Sequence, residues 1–378
     1  MTTIKAQLRM ARFRALAAMG LVLGGCASTG NSTYAMAAAA KPAPVVAGTE
    51  THTNMDTATT PPMSKRADVE AAMKKAYTKF KDLSEGKNAD YIPALAKVDS
   101  KLFGIAIVSV DGTVYEIGDS KKTFAIESAA KPFVLARVMQ EHGTKIVEEK
   151  IGVNASGMPF NSIIALEMNK ETTPAMNPLV NAGAITTVSF LKASSPEDRW
   201  QKVLGTLSGF AGHTLTLNQE VYKSEAETNT RNKAISWLLK ADNVLQGEPN
   251  EMLDVYTKEC SVDVSAKDLA VMGATLANGG LNPLTRKRVV DPEVAEHTLA
   301  VMSTAGLYDT TGTWMYRVAM PAKSGVGGGI VAVQPGGFAI ATFSPPLDKP
   351  GNSVRGQKAI EMIAGDLHAG VFNVPKGR

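Results

Sequence analysis

Ser128-Ala129-Ala130-Lys131 sets a hydroxyl and an amine three residues apart. On a helix that spacing stacks both side chains on one face. The amine can then take the hydroxyl proton and leave an alkoxide that attacks a carbonyl. A lysine does this near neutral pH only when it is desolvated or set beside another cation. The tetrapeptide alone is a weak signal, because Ser189 and Lys192 repeat it in the same chain. Taken by itself, Ser128 reads more economically as a helix N-cap followed by a solvated lysine.

Its surroundings change that balance. The strand-like run Thr123-Phe124-Ala125-Ile126 precedes Ser128, and Pro132 suits the first turn of a helix. A serine there sits at the positive end of a helix dipole, with its own N–H unpaired. A second run, Lys323-Ser324-Gly325-Val326-Gly327-Gly328-Gly329, leads into a strand starting at Ile330. It reads either as a flexible strand-entry loop or as backbone kept bare so that a ligand can approach its amides. A strand edge beginning Lys-Ser-Gly resembles the Lys-Thr-Gly strand of serine β-lactamases and penicillin-binding proteins. In those enzymes a strand amide completes an oxyanion hole and the lysine adds positive charge.

Both runs need a scaffold that brings them together. Val69, Ala72, Met73, Ala76, Phe80 and Leu83 recur at helical spacing. Strand patterns follow over 104–110 and 113–117, joined by Asp111-Gly112, a strong hairpin signal. The pattern returns at 330–333 and 338–343 around Pro335-Gly336-Gly337, and a last helix starts near Ser353. About two hundred residues of mostly helical pattern lie between the hairpins. The economical arrangement is an α/β (α+β) fold: one antiparallel sheet built from about 100–125 and 322–345, flanked by the terminal helices, with a helical region inserted. A ligand cleft belongs at the junction.

The chain has 378 residues, 44% of them apolar and 20% charged, the composition of a globular protein. Its formal charge is +4, but Lys5, Arg9, Arg12 and Arg14 supply that excess from an acid-free first segment. The remainder is near neutral, so a basic footprint for nucleic acid is absent. The basic stretch runs into the apolar stretch Ala15–Gly25, too short for a permanent span, and meets Cys26. Residues 1–26 read as an export signal in which Leu23-Gly24-Gly25-Cys26 resembles a lipobox; the alternative is plain cleavage near Ala37. Residues 27–65, rich in Ala, Thr and Pro, read as a linker, and 66–378 as the catalytic domain. The protein is expected to be exported, either periplasmic or tethered to a membrane through a lipidated Cys26. The five histidines have no ligand spacing, and Cys260 reads as a small buried hydrophobe.

Further blocks stand between the two reactive runs. They are Asn177 to Ile185, Val221 to Glu225, Arg231-Asn232, Tyr256 with Cys260-Ser261, Leu276 to Gly280, and Gly306 to Asp309. Together with Pro321 to Gly329, in this order, they resemble the bacterial serine-dependent glutaminase family from about Asp90 to Gly356. The resemblance implies a serine β-lactamase-like fold and hydrolysis of L-glutamine to L-glutamate and ammonia, with no metal or organic cofactor. It implies that Ser128 is the nucleophile and Lys131 its base. Backbone amides of Ser128 and Val326 would hold the oxyanion, and Tyr256 and Tyr308 would relay protons. Asn181, Glu225 and Asn232 would bind substrate together with the two tyrosines, and the assembly would be a homodimer or homotetramer.

The sequence departs from the family pattern at Glu127, where the family usually has Gln, at Ala129-Ala130, and at Glu259. A carboxylate at 127 is expected to keep Lys131 protonated to higher pH; the change at 259 reads as minor. The rival readings are a penicillin-interacting serine hydrolase and a non-catalytic binding lipoprotein. The Asn177–Ile185 block and the Glu225/Asn232 pair argue against the first, and the presence of both halves of the dyad against the second.

Overall fold

The computed structural model describes residues 65–170 and 175–373. The segment read as an export signal, nearly all of the segment read as a linker and the last five residues lie outside them. Strand β1 (Gly104–Ser109) and β2 (Val114–Gly118) form the first hairpin. At its turn Gly112 adopts φ +92°, and the Asp111 carboxylate accepts from the Thr113 N–H at 2.8 Å. Three short strands follow, β3 (Phe124–Ala125), β4 (Thr216–Leu217) and β5 (Val262–Val264), which make a small sheet of their own in the order β3-β5-β4. Then come β6 (Ala322–Ser324), β7 (Gly329–Gln334) and β8 (Phe338–Phe343).

The main sheet runs β2-β1-β8-β7-β6, antiparallel throughout. Its two halves are joined where β1 meets β8, with Ile107 opposite Ile340. The chain ends do build one sheet, as the hydrophobic pattern requires. Side chains alternate between its faces. Ile105, Ile107, Ile330, Ala332 and Ile340 face one core, which the helices Arg66–Phe80 and Val354–Asp366 cover with Val69, Met73, Ile360 and Ile363. Ala106, Val108, Val331, Val333 and Ala339 face the other, beneath the helix Ala266–Ala277 and the inserted helical region. Gly273 lets that helix sit low: a Cβ there would lie 2.5 Å from Val331 Cγ2.

Two local details differ from the sequence reading. Ser128 does not cap an α-helix. It lies inside a 3₁₀ turn, Glu127–Ala130, that becomes α-helical at Lys131 and runs to His142, with Pro132 in the first turn. Lys323 and Ser324 are also not loop residues. They form the edge strand β6, and only 325–328 turn before β7 begins.

Candidate active site

Ser128 is held by backbone on two sides. The Ile126 N–H donates to Val262 O at 2.9 Å, anchoring the end of β3 to β5. The next residue, Glu127, takes φ +53°, a left-handed conformation costly for a side-chain-bearing residue and common where geometry serves function. The glycine turn after β6 presses against this segment. A Cβ on Gly325 would sit 2.5 Å from Ile126 O, and one on Gly327 only 2.3 Å from Ala125 O. The bare backbone is what brings Val326 beside Ser128. Among the described residues neither the Ser128 nor the Val326 N–H donates to a carbonyl, so both are free for a developing oxyanion.

Lys131 is fully buried, and its Nζ donates to Asn181 Oδ1 at 2.7 Å. The same oxygen accepts from Tyr256 Oη at 3.1 Å, while Asn181 Nδ2 donates to Asn232 Oδ1 at 2.9 Å. Asn181 therefore ties three of the other expected site residues into one network. It starts the helix Asn181–Phe190, whose approach is fixed by Gly183, where a Cβ would overlap Asn177 O at 1.8 Å. Asn177 in turn donates to Val153 O, Asn154 O and Thr304 Oγ1 and accepts from the Leu179 N–H. Burial lowers the Lys131 pKa to about 8, against the opposing pull of Cys260, Glu259, Glu127 and Glu225. The net shift is downward; an ionised Glu127 would pull Lys131 upward, and burial outweighs that pull.

Tyr308 also sits at positive φ, +55°. Its hydroxyl donates to Ser324 O at 3.2 Å and lies within hydrogen-bonding reach of the Ser128 side chain. Lys323 Nζ lies 4.2 Å from the centroid of the Tyr308 ring and donates to Gly306 O and Ser324 O, at 2.9 and 2.6 Å. Burial first, then the charge of Lys131, push the Lys323 pKa well down. Ser324 Oγ and Asn352 Oδ1 stand 2.6 Å apart, and Asn352 Nδ2 reaches Thr310 Oγ1, bracing β6 against the Tyr308 turn.

Opposite the nucleophile stands an acidic wall. Glu127, Glu225 and Cys260 each bring one potential ligand atom within 4.8 Å of the others, the one such grouping among the described residues. The Glu127 and Glu225 carboxyls are neighbours within that grouping. Burial raises both, Glu225 to about 7 and Glu127 well above the carboxylate range, the latter pushed further by Glu225. Behind them Glu259 is fully buried with neither oxygen hydrogen-bonded, and burial raises it to about 8. The change at 259, read above as minor, is therefore a buried, unpaired carboxyl that acts on Lys131.

A cavity of about 130 Å³ opens onto Ser128, Asn181, Glu225, Asn232, Tyr256 and Val326. Lys131 bonds to the lining residue Asn181 and Tyr308 lies within reach of Ser128, so all eight expected positions lie at the cavity or next to its lining. Tyr91, Phe160 and Arg231 line it as well; Arg231 stands in one of the blocks that carry the resemblance but is not among the expected site residues, and Tyr91 and Phe160 come from loops with no local signal. Ser189 and Lys192, which share the Ser128–Lys131 spacing, do not form a pair. Ser189 Oγ donates to Thr186 O within its own helix, and Lys192 Nζ reaches Glu141 O from the surface. A larger groove of about 800 Å³ beside Lys81, Asn88 and Arg355 contains none of these groups.

The family model for glutaminases matches residues 86–372. A glutaminase of Mycobacterium ulcerans is 50% identical over 309 residues, 82% of this chain and 96% of the relative. A solved structure described as a probable glutaminase superposes with a TM-score of 0.81 at 47% identity, covering 82% of this chain and 100% of the other. A probable glutaminase from Bacillus subtilis, complexed with 6-diazo-5-oxo-L-norleucine, gives a TM-score of 0.69 at 30% identity, covering 81% and 95%.

Proposed function

The chain belongs to the glutaminase family and hydrolyses L-glutamine to L-glutamate and ammonia, and we propose that Ser128 and Lys131 carry out the chemistry. Lys131 Nζ, held by Asn181 and part-neutral near its pKa of about 8, takes the Ser128 proton. Ser128 Oγ attacks the side-chain carbonyl carbon of glutamine, and the Ser128 and Val326 N–H groups receive the negative charge on oxygen. The C–N bond breaks as the departing nitrogen is protonated, with Tyr308 and Tyr256 placed to pass that proton. Water then cleaves the γ-glutamyl ester by the reverse relay. A free amino acid also presents an ammonium and a carboxylate. Glu225 suits the first, and the amides of Asn181 and Asn232 suit the second.

The observation that carries this reading is the buried Lys131–Asn181 contact, which holds a desolvated amine one turn from an oxyanion-ready serine that directly follows the strained backbone of Glu127. The purified chain is expected to release ammonia and glutamate in equal amounts from L-glutamine and to leave a chromogenic cephalosporin intact. Cephalosporin turnover without glutamine turnover would contradict it and favour a penicillin-interacting hydrolase.

The chain is further proposed to be exported and tethered through a lipid on Cys26, and to assemble as a homodimer or homotetramer. The matched region, beginning at residue 86, supports the N-terminal segment as an addition to the catalytic unit. Detergent-extracted wild type should carry labelled fatty acid and run as an oligomer on sizing. Cys26→Ser should lose the label. An unlabelled wild type cut near Ala37 would replace the tether by plain secretion.

A further inference from the structure

Glu127 has no task in the reaction described above, yet it is placed at considerable cost. It is buried, its backbone is strained at φ +53°, and its Oε1 has no hydrogen-bond partner. Its carboxyl lies within 4.8 Å of that of Glu225 on the helix Gln219–Thr228, and both line the cavity at Ser128. Two carboxyls this close at a largely buried site repel strongly when both are charged, so they share a proton. The other groups around the pair offer little compensation. Cys260, Glu259 and Tyr256 from the helix Pro249–Cys260, Tyr308 from its 3₁₀ turn and Tyr91 from its loop all have raised pKa values. Lys131 is the one cation acting on Glu127, and its influence is the weakest of those on that carboxyl.

We propose that Glu127 works as a neutral carboxylic acid, its hydroxyl donating to the Glu225 carboxylate and its carbonyl oxygen accepting an N–H of the substrate's α-ammonium. This rests on the assignment of the cavity to glutamine. It leaves a single negative charge facing a single positive one. The direction of both pKa shifts agrees, with Glu127 retaining its proton after Glu225 has lost its own. An amide at this position would make the same two contacts, its NH₂ donating to Glu225 and its C=O accepting from the ammonium. An ionised carboxylate would not.

The test compares Glu127→Gln with Glu127→Met, which has similar size and no donor. Glu127→Gln should keep KM for L-glutamine within about threefold at neutral pH, whereas Glu127→Met should raise KM at least about tenfold with a smaller change in kcat. Infrared difference spectra of free wild type against Glu127→Gln should show the C=O stretch of a protonated carboxyl that the variant lacks, and bound L-glutamate should shift it. No such band at neutral pH, or a KM for Glu127→Gln as poor as that of Glu127→Met, would overturn the proposal. If Glu127→Met does not fold, the band decides. Absence of glutamine turnover in wild type would instead overturn the substrate assignment, and the two failures are separable because the band is read on the free protein.

Discussion

Ser128→Ala is expected to lower kcat for L-glutamine by about 10⁴- to 10⁶-fold while leaving the fold intact. The size follows from what the site can do without the hydroxyl. The oxyanion N–H groups, the Asn181 network and the acidic wall all remain, so substrate still binds, but no atom is left to attack. The structural cost is small, because removing the hydroxyl takes away one oxygen atom and at most a hydroxyl contact with Tyr308 worth about 1 kcal/mol. Ammonia and glutamate release would be measured on matched preparations, with circular dichroism and glutamate binding as controls for folding. Activity within about tenfold of wild type in a folded variant would contradict the nucleophile assignment.

Lys131→Met is expected to cost about 10²- to 10⁴-fold in kcat/KM, the range for loss of a positioned base. Methionine fills the buried volume without a charge, and Asn181 Oδ1 keeps its bond from Tyr256. The pH profile gives the more specific signature. Burial lowers the lysine pKa to about 8, and only the neutral amine accepts a proton. The rate should therefore rise with pH through about 8. Glu225 must be ionised to meet the ammonium, and its pKa of about 7 adds to the same rising limb. In Lys131→Met the limb near 8 should vanish. A wild-type profile that is flat from about pH 6 to about pH 9 would rule out a titrating base of this kind.

Much of this was readable from the chain because local and long-range signals agree. Asp111-Gly112 between alternating apolar runs leaves little choice but a hairpin. Ile105 and Ile107, matched by Ile330 and Ile340, need a common face to bury against. The dyad was readable only jointly, since Ser189 and Lys192 show that its spacing also occurs without chemistry. What separates the pairs is burial: Lys131 is enclosed by the helices bearing Asn181 and Tyr256, whereas Lys192 ends at the surface. That difference depends on contacts between segments far apart in sequence.

The acidic wall was the least legible part. Glu127 and Glu225 are far apart in the chain, and no local pattern marks two carboxyls that will meet. The left-handed backbone at Glu127 was equally hidden, because residue type points there to glycine or asparagine. It is imposed by the join of β3 to β5 on one side and the 325–327 turn on the other. Glu259 was misjudged for a similar reason: a Glu in a helix normally faces water, and only the packing of the helix Pro249–Cys260 against its neighbours turns this one inward.

The central claim is that Ser128 forms a covalent bond to the substrate's side-chain carbon, and one labelling experiment reads it directly. The diazo ketone 6-diazo-5-oxo-L-norleucine presents a glutamine backbone to the site and loses dinitrogen when a nucleophile takes its reactive carbon. After incubation and digestion, mass spectrometry should find a single adduct, on Ser128, absent from Ser128→Ala and suppressed by excess L-glutamate. An adduct on Cys260 in place of Ser128, or an unlabelled Ser128 in a chain that still hydrolyses glutamine, would contradict it.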